Sequence, residues 1–497
     1  MIQRSSIPSS LAVDRRPNGP LDVGRVRVDP AWALRVPATL ALRRQVLPFA
    51  CVDEEVHVAC ANVADTAALK AIERHVPRSL RPVAAEPDSL RRVLQRVFGG
   101  SAATAEVADE PISLADEIIF AGWLRQASDI HLDPGRDGVR VRLRVDGVLD
   151  DYRTLSLGHY PELVSRIKVL GGMDVAERRA PQDGRFTQSF HTGDDVDIRV
   201  ATLPTKYGER VTLRLLAIDL AQLTLENLGM SARDFETFER AIRLPHGLLL
   251  ATGPTGCGKT STLCAALQHI VSRRSVNAIS VQDPIEYDIP GVAQIEVNSD
   301  QKITFARALR SILRHDPDVL MIGEIRDRET AEIAVQAALT GHLVLATLHA
   351  NSAVAAVTRL ADLGVERYLI TATLRLVLSQ RLVRRLCPTC RTPRRDPVVG
   401  LPGSRSFTSA LEACEPRGCI YCMGRGYSGR IGLFEMLAID EDWEHDLSRG
   451  VDTAALTSRM RERGVPTIVD DALDKIRGGV TSVDEVVSVV EVRGEVE

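Results

Sequence analysis

The string Gly253-Pro254-Thr255-Gly256-Cys257-Gly258-Lys259-Thr260-Ser261 constrains this chain more than any other feature. It has the spacing G-x-x-x-x-G-K-[ST]. An apolar run, Leu248–Thr252, precedes it and a helical pattern over 261–271 follows, so the local structure is strand, loop, helix. Glycines let backbone N–H groups turn inward around phosphates, and the helix N-terminus adds partial positive charge. These nine residues are therefore expected to bind a nucleotide. Lys259 would reach the β- and γ-phosphates and the Thr260 hydroxyl would ligate Mg²⁺. A glycine-rich turn without nucleotide is the competing reading. Cys257 reads as a tolerated small residue, with a redox-sensitive thiol as its alternative. The chain has six lysines (Lys70, Lys168, Lys206, Lys259, Lys302 and Lys475) among 62 basic residues, so a lysine at this position stands out.

The surrounding segment repeats the rhythm of a parallel α/β sheet. Short apolar strands are expected at Leu248–Thr252, Ala278–Val281, Val319–Ile322 and Leu343–Thr347. Acidic residues follow two of them. Glu324 ends the run Val319–Gly323 and, after a phosphate loop, suits the organisation of Mg²⁺ or its water shell. Glu286, in Asp283-Pro284-Ile285-Glu286, stands equally as a group that orients or deprotonates water and as an ordinary turn acid.

Seven regions follow along the chain. Residues 1–30 are rich in Pro, Arg and Asp and are expected to be flexible; 31–98 form a small α/β domain; 99–111 read as a linker. Residues 112–222 form an α+β domain studded with arginines, where Val139, Val141, Leu143 and Val145 alternate with Arg140, Arg142 and Arg144. Residues 223–385 hold the phosphate loop, 386–436 the clustered cysteines, and 437–497 a helical tail. Cys387-Pro-Thr-Cys390 and Cys419-Ile-Tyr-Cys422 are two C-x-x-C knuckles separated by 28 residues. Four thiolates at this spacing fit structural Zn²⁺ and leave no open position for a catalytic water. Non-binding thiols or an iron–sulfur centre are the alternatives, with Cys414 a spectator.

The net charge is −4, from 62 basic and 66 acidic residues. This balance argues against a protein held to nucleic acid by bulk electrostatics. No apolar run approaches the ~18 residues that span a bilayer, and Met-Ile-Gln-Arg-Ser-Ser lacks the apolar core of a signal peptide. The expectation is a cytoplasmic protein without a transmembrane segment, associated with membrane only peripherally through protein partners.

From residue 128 to 436 the sequence resembles the bacterial secretion and pilus-assembly ATPases. The strings that carry the resemblance begin with Ser128-Asp-Ile-His131, Arg144-Val-Asp-Gly147, Glu177–Arg185, Leu203-Pro-Thr205 and Gly208-Glu-Arg210. The phosphate loop and Asp283–Glu286 come next. Thr304-Phe305, Leu309–Arg314, Asp316-Pro-Asp318, Gly323–Asp327 and Glu329-Thr-Ala331 continue the series. Thr340-Gly-His342, Thr347-Leu-His349, the cysteine segment, Gly424–Arg430 and Phe434-Glu435 complete it.

The resemblance implies a RecA-like P-loop domain that binds ATP and Mg²⁺ and hydrolyses ATP, with Glu286 as catalytic glutamate and Glu324 as the Mg²⁺-organising one. His342 and His349 look like sensors near the γ-phosphate; His342 also reads as a satisfied core histidine. Arg199 and Arg214 of the α+β domain, with Arg310 and Arg314, look like the phosphate-facing cations, since a planar guanidinium supplies paired donors. It also implies a homohexamer acting on an inner-membrane platform in type II secretion or type IV pilus assembly. The domain at 31–98 is similar, more weakly, to the family's docking domain, and the tetracysteine insert speaks for export or assembly over pilus retraction. A DNA-uptake or conjugation translocase and a nucleotide-gated scaffold are the competing classes. Near-zero charge counts against the first.

One position departs from the family. The residue before Asp283 is usually glutamate, and here it is Gln282. Gln keeps the shape and loses the charge, which weakens any hold on a Mg²⁺ water shell and points to weak or moderate turnover. A Gln282→Glu variant is expected to raise turnover at low Mg²⁺. An unchanged Mg²⁺ titration of ATP hydrolysis would show that the position merely packs.

Overall fold

The computed structural model describes residues 19–98, 111–190, 194–216, 223–298, 303–394, 412–449 and 452–490. They fall into two compact units. The first comprises described residues within 1–217, 386–392 and 415–429; the second, those within 218–385, 393–414 and 430–497.

The first unit contains two sheets. Strands β1 (Val46–Val52), β2 (Glu55–Cys60) and β3 (Leu80–Ala84) form the smaller, with β1·β2 antiparallel and β2·β3 parallel. The larger is antiparallel and built from β4 (Asp129–Pro134), β5 (Val139–Val145), β6 (Val148–Leu155), β7 (Gln182–Ser189), β8 (Asp195–Thr205) and β9 (Gly208–Leu216), in the order β6-β5-β4-β9-β8-β7. Its strands alternate as half-buried strands should: the β5 valines and Leu143 are buried, as are Val196, Ile198 and Val200 on β8. Helices Pro111–Leu124 and Tyr160–Leu170 supply Ile118, Ile119, Leu163 and Ile167 to the same core.

Residues 19–30 correct the expectation of a flexible start. Leu21 N–H donates to Ala84 O at 2.7 Å, and Val23, Val26 and Val28 are buried. Asp29 caps the helix Pro30–Ala33. Four buried apolar residues, Leu21, Val23, Val26 and Val28, outweigh the polar composition around them. Residues 1–18 and the expected linker at 99–110 lie outside the described residues, and Pro111 already begins a helix.

The second unit is organised on a seven-stranded sheet. Its strands are β10 (Gly247–Thr252), β11 (Ala278–Gln282), β12 (Val292–Glu296), β13 (Val319–Ile322), β14 (Leu343–Leu348), β15 (Leu374–Leu386) and β16 (Tyr427–Ala438), in the order β12-β11-β13-β14-β10-β15-β16. All pairings from β12 to β15 are parallel. Strands β10, β11, β13 and β14 are buried along their full length, as strands covered on both faces must be.

Two boundaries move. The sheet does not end near residue 385 but takes β16 from beyond the cysteines, with Gly432–Leu437 carrying its apolar core. The C-terminal helices Glu441–Ser448 and Thr453–Glu462 contribute Trp443, Leu447, Leu456 and Met460 to the core of the sheet rather than forming a separate tail. Helices Ile468–Arg477 and Val483–Val489 pack Leu473, Ile476 and Val486 with Val383 and Leu433.

Candidate nucleotide and metal sites

Because β10, β13 and β14 are parallel and in register, their carboxyl ends define one edge. Thr252 lies opposite Leu348, and Ile322 opposite Ala346. The phosphate loop leaves that edge at Gly253 and enters the helix Lys259–Arg273. Glycine is required where the loop turns. Gly253 has φ +143°, and an added Cβ would stand 2.5 Å from the Gln380 carbonyl oxygen and 2.7 Å from Cys257 Sγ. Gly258 has φ +88° and would meet Gln380 Nε2 at 2.9 Å.

Lys259 Nζ lies inside the loop, donating to the carbonyls of Gly253 (2.8 Å) and Pro254 (3.0 Å). Burial lowers its pKa, while the charge of Glu324 among others acts to keep it protonated. Cys257 is buried and its thiol is pushed up by desolvation, which makes it a poor nucleophile and favours the reading of a small packing residue. Ser261 Oγ lies 2.7 Å from Tyr287 OH, an oxygen whose pKa burial raises to about 12. Glu286 is exposed, one residue before Tyr287; its charge is felt by Cys264 on the loop's helix.

Glu324 follows β13 and is mostly buried. Arg326 pairs with one of its oxygens, and His349 Nε2 lies 3.6 Å from the other. Arg326 also reaches Asp283 Oδ2 at 3.9 Å. Glu324, His349, Arg326 and Asp283 thus form one polar cluster at the carboxyl edge, where phosphates, a divalent cation and an attacking water would be handled. Arg326 was not among the expected site residues; it sits within the string Gly323–Asp327, which could have flagged it. Gln282 is buried, and its Nε2 donates to Ser280 Oγ at 3.0 Å.

Two expected residues, His342 and Arg314, are not brought to this edge, and a third, Arg310, is engaged with a different acid. His342 precedes β14, and Leu343 lies opposite Gly247 at the amino end of β10. A six-residue strand rises roughly 17–20 Å, so His342 stands at the far edge of the sheet from the phosphate loop. There its Nδ1 lies 2.8 Å from Ala337 O and 3.2 Å from Thr340 Oγ1, contacts that suit the reading of a satisfied histidine. Arg310 lies on the helix Phe305–Ile312 and pairs with Glu329, in the first turn of the helix Arg328–Leu339 that follows Glu324. Arg314 donates to Arg310 O at 2.7 Å. That segment returns to the amino end of β11, where Asn277 Nδ2 donates to His315 O and Asp316 O, both at 2.8 Å.

Arg199 and Arg214 belong to the first unit. They are direct cross-strand partners on β8 and β9, and the row continues to Arg185 on β7 and to Asp129 and Arg144 on β4 and β5. Arg214 Nε donates to Asp129 Oδ1 at 3.0 Å, and Arg144 Nε stands 3.6 Å from Asp129 Oδ2. The outward face of this sheet therefore carries a file of arginines registered on one carboxylate.

Cys387, Cys390, Cys419 and Cys422 come together, all four sulfurs within 4.8 Å of one another. The separations Cys387–Cys419, Cys390–Cys422 and Cys419–Cys422 are 3.7, 3.8 and 3.8 Å. A tetrahedron with metal–sulfur bonds of about 2.3 Å has edges of about 3.8 Å, so the set fits a tetrahedral ion. Cys422 Sγ also accepts N–H groups from Cys419 (3.2 Å) and Gly426 (3.1 Å). Hydrogen bonds from the neighbouring thiols hold its pKa far below the ordinary thiol range, favouring the thiolate a metal needs. Elemental analysis of the purified chain is expected to find one tetrahedral metal ion per molecule, lost in Cys419→Ser. A metal-free chain with unchanged thermal stability in chelator would refute the site.

Comparison with known proteins agrees with this arrangement. The family described as Type II/IV secretion system protein matches residues 106–488, and the MshEN domain matches residues 15–104. The chain is 42% identical over 493 residues to "Type II secretion system protein E" of Pseudomonas aeruginosa, covering 92% of this chain and 96% of that protein. It is 47% identical over 383 residues to "Type II secretion system ATPase E" of Vibrio cholerae, covering 77% and 76%. It is 38% identical over 491 residues to "Type IV pilus assembly ATPase PilB" of Thermus thermophilus, covering 93% and 55%. Among solved structures the fold is similar to that of the Legionella pneumophila ATPase DotB, with TM-score 0.57, 21% identity and coverage of 77% and 96%. It is also similar to the pilus retraction motor PilT with bound ADP, with TM-score 0.52, 23% identity and coverage of 77% and 97%.

Proposed function

The chain belongs to the type II/IV secretion system protein family, and from that premise we propose that it is an ATP-hydrolysing motor of a type II secretion or type IV pilus-assembly machine. The observation that carries this reading is the meeting of the phosphate loop with Glu324, His349 and Arg326 at one sheet edge. The loop amides and Lys259 bind and orient the phosphates. Thr260 and Glu324 would hold Mg²⁺, which supplies charge neutralisation on the phosphate oxygens. Glu286 orients or deprotonates the attacking water. His349, whose Nε2 lies 3.6 Å from Glu324, responds to the γ-phosphate. Arg199 and Arg214 serve as phosphate-facing cations of the assembled ring.

The four cysteines would hold Zn²⁺, whose closed shell makes the contribution structural. We read the working form as a homohexamer, attached peripherally to the inner membrane through a platform protein. No helix among the described residues is long and apolar enough to cross a membrane. Residues 31–98, within the MshEN match, are the part we assign to docking. Rigid-body domain motion coupled to hydrolysis would be the power stroke.

Steady-state ATP hydrolysis tests the reading. The unsubstituted chain is expected to turn over ATP, with Lys259→Ala and Glu324→Gln each at least a hundredfold slower, on the scale of other preorganised catalytic contacts, and DNA without effect. Stimulation by DNA would favour a nucleic-acid translocase. Nucleotide binding without turnover would favour a scaffold.

A further inference from the structure

Glu435 is a buried acid that nothing above uses. It lies in β16 between Phe434 and Met436, and only 8% of it is exposed. Its Oε1 accepts the N–H of Ala353 at 2.9 Å. The backbone of Ile468 is a second hydrogen-bond donor to it, and the Arg381 charge acts on it as well. Burial nevertheless raises its pKa above the usual carboxylate value. Ala353 and Ile468 are the first residues of two different helices, Ala353–Asp362 and Ile468–Arg477. One carboxylate therefore stands at the start of both helices, where helix dipoles favour negative charge, bonded to the first N–H and stabilised by the second.

The segment that Glu435 grips runs directly from the nucleotide edge. His349 approaches Glu324 at 3.6 Å. Ala350 O accepts from Thr252 Oγ1, the residue before the phosphate loop, at 3.0 Å. Asn351 O accepts from Arg381 at 2.9 Å. Ser352 caps the helix. Ala353 N–H ends on Glu435. Each residue from 349 to 353 is thus fixed by a different partner, and the last of them ties the loop to the C-terminal helix Ile468–Arg477. Arg381 Nη1 donates to Gln380 O at 3.0 Å, so the same side chain holds both Asn351 and its own strand.

We propose that Glu435 is a positioning residue for ATP hydrolysis: by holding the starts of both helices it sets the loop that presents His349 to Glu324, and it couples that loop to the C-terminal helices. The inference rests on the ATPase reading of the same site. A carboxylate accepts two N–H donors at once. In Glu435→Gln one oxygen is replaced by an NH₂ that faces a donor, so one helix start is released with little change of volume.

The test compares the full-length unsubstituted chain, Glu435→Gln, Glu435→Asp and Lys259→Ala in ATP turnover and in backbone hydrogen exchange. Glu435→Gln is expected to lower kcat about tenfold, which is about 1.4 kcal/mol, with the KM for ATP within twofold. Amides of the 349–355 and 468–472 segments should exchange at least several-fold faster, while those of β10 and β13 stay as protected. Glu435→Asp, which keeps both acceptors, should recover most of kcat. Unchanged exchange, unchanged kcat, or a rise in KM matching the fall in kcat would each overturn the role of Glu435. An unsubstituted chain no faster than Lys259→Ala would instead overturn the ATPase reading itself, so the two failures are distinguishable.

Discussion

The parallel, in-register pairing of β10, β13 and β14 is the constraint on which the site depends. It converts positions far apart in sequence into one edge: Thr252 faces Leu348, and the loops that leave these strands carry Lys259, Glu324 and His349 outward together. Buried strands cannot slide against their neighbours without exposing backbone polar groups and shifting every apolar side chain. The energetic cost of moving this edge is therefore spread over the whole core. The groups at this edge take their placement from hydrophobic packing together with their own contacts.

Lys259 is one of six lysines, held in the loop by two carbonyls and faced by Glu324. Arg326 partly neutralises the acids Glu324 and Asp283. The remaining excess of arginine is used elsewhere. On the first unit it forms a file across β7, β8, β9 and β5 around Asp129, a surface of organised charge within a chain whose net charge is only −4. Near-neutrality thus conceals strong local patterning.

The phosphate-loop sheet was legible because its central strands are short, wholly apolar and bounded by motif residues; Val319–Ile322 agrees to the residue. Other strands carried no such signal. Gln182–Ser189 is polar on its exposed positions, and Leu80–Ala84 is barely buried and interrupted by Pro82. Tyr427–Ala438 joins the sheet across the cysteine segment, so local pattern could not assign it to a sheet begun some 180 residues earlier. The four cysteines were legible from spacing alone, since two knuckles need only meet. His342 was not: seven residues from His349, it looks adjacent in sequence, yet a full strand stands between them. Linear proximity is a poor guide across a β-strand, where seven residues cross the sheet from one edge to the other. Glu435 and Arg326 were visible as parts of matching strings, but their partners are set by tertiary packing.

The claim that chemistry is confined to the carboxyl edge is tested most directly by single-turnover ATP hydrolysis of His349→Ala beside His342→Ala. The account predicts that His349→Ala slows the chemical step by at least tenfold, whereas His342→Ala stays within about twofold of the unsubstituted chain, in keeping with its distance from the phosphates. Equal losses in the two variants, or a larger loss at His342, would contradict it.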